Sequence, residues 1–554
     1  MPSFLQCAGA AFGLLLQTTA AYAQIPVFSW ASGGEKPTRF GQQAQARSIA
    51  TDAAGNTYVA GTFRETLTLG ATTLTATADY DVFVAKLDPA GVYTWAVRAG
   101  GNDEDIATAV ALDAAGNVYV TGHTESYLPS FGNQQIVNSG YGTHLFLAKL
   151  SPEGQWLRVS HSSGVNTNNF IFPEGLAVDA AGNAYVTGGL RCYDATFGSH
   201  LVRNEGVYNA FVAKLSAAGT WDWAVTEGGS RSYDFGQGIG VDGSGNVYVT
   251  GTFEGDLARF GTIPLRRDNW RSNMFVSKLN AQGQWQWAVS GGGSAQTRGN
   301  GLAVDASGNV FVTGAVAGKQ ARFGTVPASK EDDSFDLLVA RLSPEGQWQW
   351  AVRGGGPEQD AGLDVALDAG GNVLVAGNFA GTRVSFGSLP PLSAAGPTDV
   401  VVAGLTAAGS WRWAVGSGGP GEDLALAIAS NPATGATQVA GTFQGASISL
   451  GETQLPGGTP YYEYFADRFF VTSVQDLARP AAATLTLWPN PSRGTVWATG
   501  LEPDQPVQVF DALGRLVAAN ARPAYEVQGL NLPPLTPGMY VVRCGKQSQR
   551  ILIQ

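Results

Sequence analysis

Cysteine, methionine and histidine are scarce in this chain: 3, 3 and 4 of 554 residues. So few cysteines exclude a disulfide framework. Cys7 lies in the N-terminal segment, and Cys192 and Cys544 fall in different domains by the division drawn below. The four histidines, His123, His144, His161 and His200, are read as scattered loop residues, with a metal or acid–base site as the alternative. No HExxH, GxSxG, P-loop or CxxC motif accompanies them. Basic residues are outnumbered, 33 against 44 acidic, for a net charge of −11. That balance argues against nucleic acid and anionic lipid, which both attract a cationic footprint. No block of five or six like charges marks a tail, and beyond the N-terminus no run approaches the roughly 20 apolar residues of a membrane helix.

What is abundant points to strands and turns. There are 74 glycines, and 44% of residues are hydrophobic against 14% charged, too apolar a mixture for disorder. The length exceeds what one ordinary core supports, so several domains or a repeat architecture is expected. The first residues, "MPSFLQCAGAAFGLLLQTTAAYAQ", carry a short apolar stretch ending in Ala21-Tyr22-Ala23. An A-x-A site before Gln24 predicts a Sec-type signal peptide over 1–23, although no Lys or Arg precedes the apolar stretch.

One ten-residue phrase recurs: "DAAGNTYVAG" at 52, "DAAGNVYVTG" at 113, "DAAGNAYVTG" at 179, "DGSGNVYVTG" at 242, "DASGNVFVTG" at 305 and "DAGGNVLVAG" at 368. A degenerate copy, "NPATGATQVAG", begins at 431. The closing glycines, Gly61, Gly122, Gly188, Gly251, Gly314, Gly377 and Gly441, are spaced by 61 to 66 residues. A second phrase runs in phase, as in "FVSKLNAQGQWQWAVSGGG" at 275. Fixed periods of this kind mark repeat architecture. Alternating patterns with Gly/Asn/Asp punctuation give four short strands per unit. Seven units then predict an all-β, seven-bladed propeller over 24–475. Asp305 and its equivalents are expected to accept backbone N–H groups in the turn, with Gly308 and Asn309 adopting positive φ.

The seventh unit has a third strand, read at 468–474, but no "WxWAV" strand after it. "VFSWASGG" at 27–34 supplies one, with Phe28 and Trp30 standing where Trp285 and Trp287 stand in the fourth unit. The N-terminal strand is therefore expected to close the last blade and protect both edges. Of 14 tryptophans, 11 fall in this fourth strand, which assigns them to packing between blades.

The repeated D-x-x-G-N-x-Y-V-x-G, F-V-A-K-L and Gly-Gly-x-x-x-D phrases resemble the bacterial SBBP propeller repeat, whose motif describes a scaffold. Asn431 departs from it by replacing the turn Asp. After a linker at 476–484, residues 485–554 read as short apolar strands between Pro/Gly/Asn turns, a small Ig-like β-sandwich. Pro489, Asn490, Pro491 and Gly494, then Asp511, Gly514 and Arg515, then Gly538 and Tyr540 resemble the type A C-terminal sorting domain of the type IX secretion system of Bacteroidota. The resemblance implies that type IX machinery is a partner and that the protein is secreted or attached to the outer-membrane surface.

Binding residues are expected on the face carrying the long loops. Asp105, Asp234, Asp360 and Asp423 each precede the turn position by eight residues there. They read either as caps on the glycine loop or as a ring of oxygens for Ca2+; otherwise no cofactor or metal is expected. Arg231, Tyr233, Trp270, Arg298 and Tyr461 are the non-repeated candidates for a glycan or protein ligand. The functional expectation is an exported, non-enzymatic binding or scaffold protein. The alternative is a polysaccharide-acting hydrolase or lyase using channel-mouth carboxylates.

Overall fold

The computed structural model describes residues 26–33, 44–138, 142–164, 169–191, 194–229, 232–267, 272–328, 333–431, 433–451, 453–456 and 462–471, then 486–488, 496–499, 507–511, 515–520, 528–530, 538–544 and 547–553. They are all-β, with no helix among them, so none long and apolar enough to cross a membrane. The chain divides into two compact units, 1–471 and 472–554.

The first unit is built of similar antiparallel sheets. In one of them Phe235–Val241, Val247–Phe253, Asn273–Leu279 and Trp285–Gly291 lie side by side in chain order. The turn between the first two strands explains the repeated phrase. Asp242 Oδ1 accepts the amides of Ser244 and Asn246, both at 2.9 Å. Its Oδ2 accepts the Asn246 side-chain amide at 2.8 Å and the Tyr248 hydroxyl at 3.0 Å. Burial alone would raise this carboxyl, but the hydrogen bonds more than offset it and hold it below the usual carboxylate range. Gly245 takes φ 79°, a conformation that glycine adopts without penalty. Asn246 and its equivalents do not: only Glu65 and Arg383 have positive φ among described non-glycine residues. The asparagine is there as a side-chain donor to the Asp, which corrects the expectation for Asn309.

The first strands of successive sheets are Ala44–Thr51, Asp105–Leu112, Asn169–Val178, Phe235–Val241, Gln296–Val304, Ala361–Leu367 and Asp423–Ser430. Each stands beside the next, and the last stands beside the first. The sheets are thus arranged like propeller blades around a nearly closed barrel. The seam is made by the N-terminus: Pro26–Gly33 pairs antiparallel with Tyr462–Val471, placing Val27 opposite Phe470 and Trp30 opposite Arg468. The third strand of that sheet therefore begins at 462, not at 468, and is described to 471; residues 472–474 lie outside the described residues. Its register is set by Gly441 opposite Phe465 rather than by the apolar run after Arg468. At the same seam Asn431 donates its side-chain amide to the Asp52 carbonyl at 2.6 Å, which an aspartate could not do.

Tryptophans of the outer strands tie neighbouring sheets together. The indoles of Trp95, Trp223, Trp287 and Trp350 each donate to a turn carbonyl of the following sheet, at 3.0 to 3.1 Å. Gly346, with φ 80°, lies so close under Trp287 that an added Cβ would sit 2.8 Å from the ring. The long loops between second and third strands were expected to be binding loops. Their described parts fold as two-stranded ribbons, such as Leu257–Phe260 with Ile263–Arg266. Six of them bond to the outer strand of the preceding sheet, as in Ala99 opposite Phe131, Ser162 opposite Phe197 and Gly228 opposite Arg259. Phe131, Phe197, Phe260, Phe323 and Phe386 in the ribbons meet a tryptophan edge-on at 5.0 to 5.4 Å. Such ring pairs add about 1 kcal/mol each beyond area burial. The ribbons are staples that also cover otherwise open sheet edges.

The second unit contains a three-stranded sheet of Thr486–Trp488, Val496–Thr499 and Gln528–Leu530, and a four-stranded sheet of Leu516–Asn520, Val507–Phe510, Gly538–Cys544 and Gln547–Ile553. Val509, Tyr540 and Val542 are buried in it.

Candidate functional site

The first strands share a second feature, absent from the repeated phrases. Each carries a β-bulge at the same register: between Ala46 and Ser48, Ala107 and Ala109, Pro173 and Gly175, Gly236 and Gly238, Gly299 and Gly301, Gly362 and Asp364, and Ala425 and Ala427. A bulge inserts an unpaired residue and re-aims its side chain. The inserted residues are Arg47, Thr108, Glu174, Gln237, Asn300, Leu363 and Leu426, and all of them line one central cavity of about 380 Å³. Small residues after the bulge let the strands crowd together. A Cβ on Gly238 would lie 2.8 Å from the Leu302 amide nitrogen, and one on Gly301 would lie 2.8 Å from the Asp364 Cα. Where the side chain is larger it bonds across instead. Ser48 Oγ accepts the Val110 amide at 3.1 Å, and Asp364 Oδ2 accepts the Ile428 amide at 2.9 Å.

The ring has a polar arc, Arg47 through Asn300, completed by an apolar arc of Leu363 and Leu426. Arg47 and Glu174 are both open to the water of the channel. Neither makes a hydrogen bond or ion pair with another described residue. Glu174 lies deep in the ring, which pushes its carboxyl up to about 7 while Arg47 pulls it back. Asp364 is pushed up to about 6 by burial, against hydrogen bonds from the Ile428 and Val365 amides. Asn300 is partly spent, donating to the Gly362 carbonyl at 2.8 Å. His123 sits nearby, edge-on to Phe172 at 5.3 Å, and is pushed down to about 4 by burial and by Arg47.

The carboxylates singled out from the sequence serve elsewhere. Asp105, Asp234, Asp360 and Asp423 are at most 1% exposed, and none lines the cavity. Each accepts the amide of a glycine in the preceding loop: Gly101 at 2.7 Å, Gly229 at 2.8 Å, Gly356 at 2.7 Å and Gly419 at 2.6 Å. That is the capping arrangement, not a ring of ligands at the channel mouth. Burial pushes Asp105 and Asp423 up to about 7 and raises Asp234, against the pull of these bonds. Arg298 is on a first strand rather than in a loop, with its guanidinium 5.1 Å from the Phe335 ring. Tyr233 is 49% exposed and stacks on Tyr208 at 5.7 Å. Arg231, Trp270 and Tyr461 lie outside the described residues.

Among the remaining histidines, His200 bonds the Trp221 carbonyl at 3.0 Å, and burial lowers His144 and His161. No three His, Cys, Asp or Glu side chains among the described residues are grouped to hold a metal. In the second unit Asp511 accepts the Arg515 amide at 2.9 Å and its guanidinium at 2.7 Å, closing the hairpin turn. Gly538 opens the strand that buries Tyr540. Pro489, Asn490, Pro491, Gly494 and Gly514 lie outside the described residues.

Comparison with known proteins agrees with both units. Residues 227–252 and 291–315 match the beta-propeller repeat family SBBP, and residues 486–554 match the secretion system C-terminal sorting domain family. The chain thus carries matches to a β-propeller repeat and to a type IX sorting tail, and such a tail implies export to the cell surface or the medium. The chain is 22% identical over 499 residues to an uncharacterized WD repeat-containing protein, L264, of Acanthamoeba polyphaga mimivirus, covering 73% of this chain and 36% of that one. It is 29% identical over 187 residues to the regulatory protein FlaEY of Caulobacter vibrioides, covering 31% and 19%. It thus spans about a third and a fifth of those two relatives. Among solved structures, the polysaccharide lyase Uly1 aligns over 81% of this chain and 94% of its own, at 11% identity and a TM-score of 0.40.

Proposed function

We propose that this protein is an exported seven-bladed β-propeller that works as a non-enzymatic binding or scaffold protein, delivered by its C-terminal domain. The reading takes 24–475 as the propeller, with each four-stranded sheet one blade and the N-terminal strand completing the seventh. It takes 485–554 as a small Ig-like β-sandwich addressed to the type IX machinery, and 1–23 as the signal peptide.

One observation carries the binding role. The bulge ring is a place where the units differ at equivalent positions, presenting six residue types at seven positions to one cavity. Everything repeated is spent on turns, caps and staples, whereas a rigid frame with a varied lining is how a scaffold hosts recognition.

The second reading, an enzyme acting on polysaccharide, needs a pair of working carboxyls. Glu174 and Asp364 share the channel, but both Asp364 oxygens already accept backbone amides. That leaves one free carboxylate in the ring and favours binding over turnover. The test is a glycan and protein array probed with the full chain, beside an assay of product release from the same glycans. Binding without turnover is expected; glycan cleavage overturns the non-enzymatic reading. Deleting 486–554 should leave the protein in the periplasm, followed by fractionation and immunoblotting. Normal export of that truncation would refute the sorting role.

A further inference from the structure

Building on the reading of a binding propeller, we propose that the bulge ring recognises a small zwitterion with an apolar group beside its charges, the chemistry of a free apolar α-amino acid.

A guanidinium and a carboxyl face one channel without meeting. Arg47 and Glu174 come from strands separated by the strand that carries Thr108, and no contact of 4.0 Å or less joins them. They are nevertheless close enough for the guanidinium to act on the carboxyl. A contact pair would satisfy itself and offer a ligand nothing. A separated pair leaves both groups open, and a molecule carrying both complementary charges can bridge them. A carboxylate on Arg47 gains charge-assisted, potentially bidentate hydrogen bonds, and an ammonium on Glu174 gains the matching ones. A ligand with one charge alone would leave the other protein group partly desolvated and unmatched, which is where selectivity arises.

The rest of the ring suits the same molecule. Gln237 and Asn300 add amide donors and acceptors on the polar arc, and Leu363 with Leu426 offers an apolar wall beside the Arg47 end. Asp364 adds no competing free carboxylate, since two backbone amides hold it. A cavity of about 380 Å³ falls within the range of small-ligand sites, roughly 300–1,000 Å³.

Isothermal titration calorimetry on the full chain tests this, with L-leucine, N-acetyl-L-leucine (no ammonium), L-leucinamide (no carboxylate) and glucose as probes. L-Leucine should bind at one site, with each blocked analogue weaker by about tenfold or more. Arg47→Ala and Glu174→Gln should each weaken leucine by a similar factor, and Leu363→Trp, which puts an indole into the cavity in place of the apolar wall, should abolish binding. Arg47 and Glu174 are exposed in the channel and Leu363 lines it half-buried, so melting temperatures should stay near wild type. The proposal is overturned by no heat from L-leucine up to about 10 mM, by equal affinity for the blocked analogues, or by glucose binding in its place. In any of those cases, array hits that vanish with Leu363→Trp would keep the binding-propeller reading while the zwitterion falls.

Discussion

Two positions five residues apart in each unit behave in opposite ways. At the turn, Asp52, Asp113, Asp179, Asp242, Asp305 and Asp368 are the same residue making the same bonds, to the amides two and four residues on and to the Asn side chain. At the bulge, Arg47, Thr108, Glu174, Gln237, Asn300, Leu363 and Leu426 share a register but range over a guanidinium, a hydroxyl, a carboxyl, two amides and two leucines. Repetition here records a mechanical need that recurs in every sheet, and variation records a need that belongs to the ring as a whole. The rule extends outward. The glycine-capping aspartates, the outer tryptophans and the phenylalanine ribbons all repeat, and all are spent on holding sheets to one another.

That contrast can be broken by experiment, beginning with the frame. Deleting 26–33 removes the strand that pairs with Tyr462–Val471 and exposes the outer edge of that strand. The expected result is a large drop in melting temperature with aggregation on size-exclusion chromatography. A monomer that melts like wild type would mean that the ring does not need its seam.

A smaller effect separates the two positions directly. Asp242→Ala removes four hydrogen bonds to an ionised carboxylate and should cost about 2 kcal/mol in denaturant unfolding. Gln237→Ala, five residues earlier and facing the channel, should fall within about 0.5 kcal/mol of wild type. Equal costs would erase the distinction.

The smallest effect concerns an exception within the frame. Glu227 stands on an outer strand where other sheets have Ala99, Gly291, Gly354 or Ser417. It is 2% exposed with both carboxyl oxygens unpartnered, and burial, with Asp234 adding to it, raises its carboxyl well above the usual range. Such a group favours the fold while both states are protonated, and its contribution is lost as pH climbs past the unfolded value towards the raised folded one. Melting temperature should therefore decline more steeply with rising pH in wild type than in Glu227→Ala. At pH 8 the variant should be the more stable by a few degrees. Parallel pH profiles would show that this carboxyl is satisfied in solution.

Much of the frame was legible because it repeats. The period, the two hairpins of each unit and the N-terminal strand as the missing fourth strand all follow from phrases in phase. The third strand beside it was misplaced because an apolar run, Phe469 to Val471, outweighed the register set by Gly441. The ribbons could also have been read. Phe131-Gly132, Phe197-Gly198, Phe260-Gly261, Phe323-Gly324 and Phe386-Gly387 form a repeated pair inside loops assumed to be variable. The channel lining was missed for a deeper reason. A search for motifs rewards likeness, and the lining residues are unlike one another. Their signature was a changing residue five positions before the turn Asp, with small residues beside it such as Ala46, Ala107, Gly236 and Gly299 to let the strands crowd. The aspartates three positions further upstream drew attention because they recurred, and recurrence was the mark of a cap.

Whether recognition resides in the lining rather than on the loop face is tested most directly by one paired array. Wild-type chain and Gln237→Trp, which puts an indole into the channel and leaves every cap and staple in place, are probed side by side on the same glycans, proteins and small molecules. The expected result is that hits seen with wild type disappear from the variant while its melting temperature is unchanged. An identical hit pattern from both would put recognition outside the channel and contradict the account.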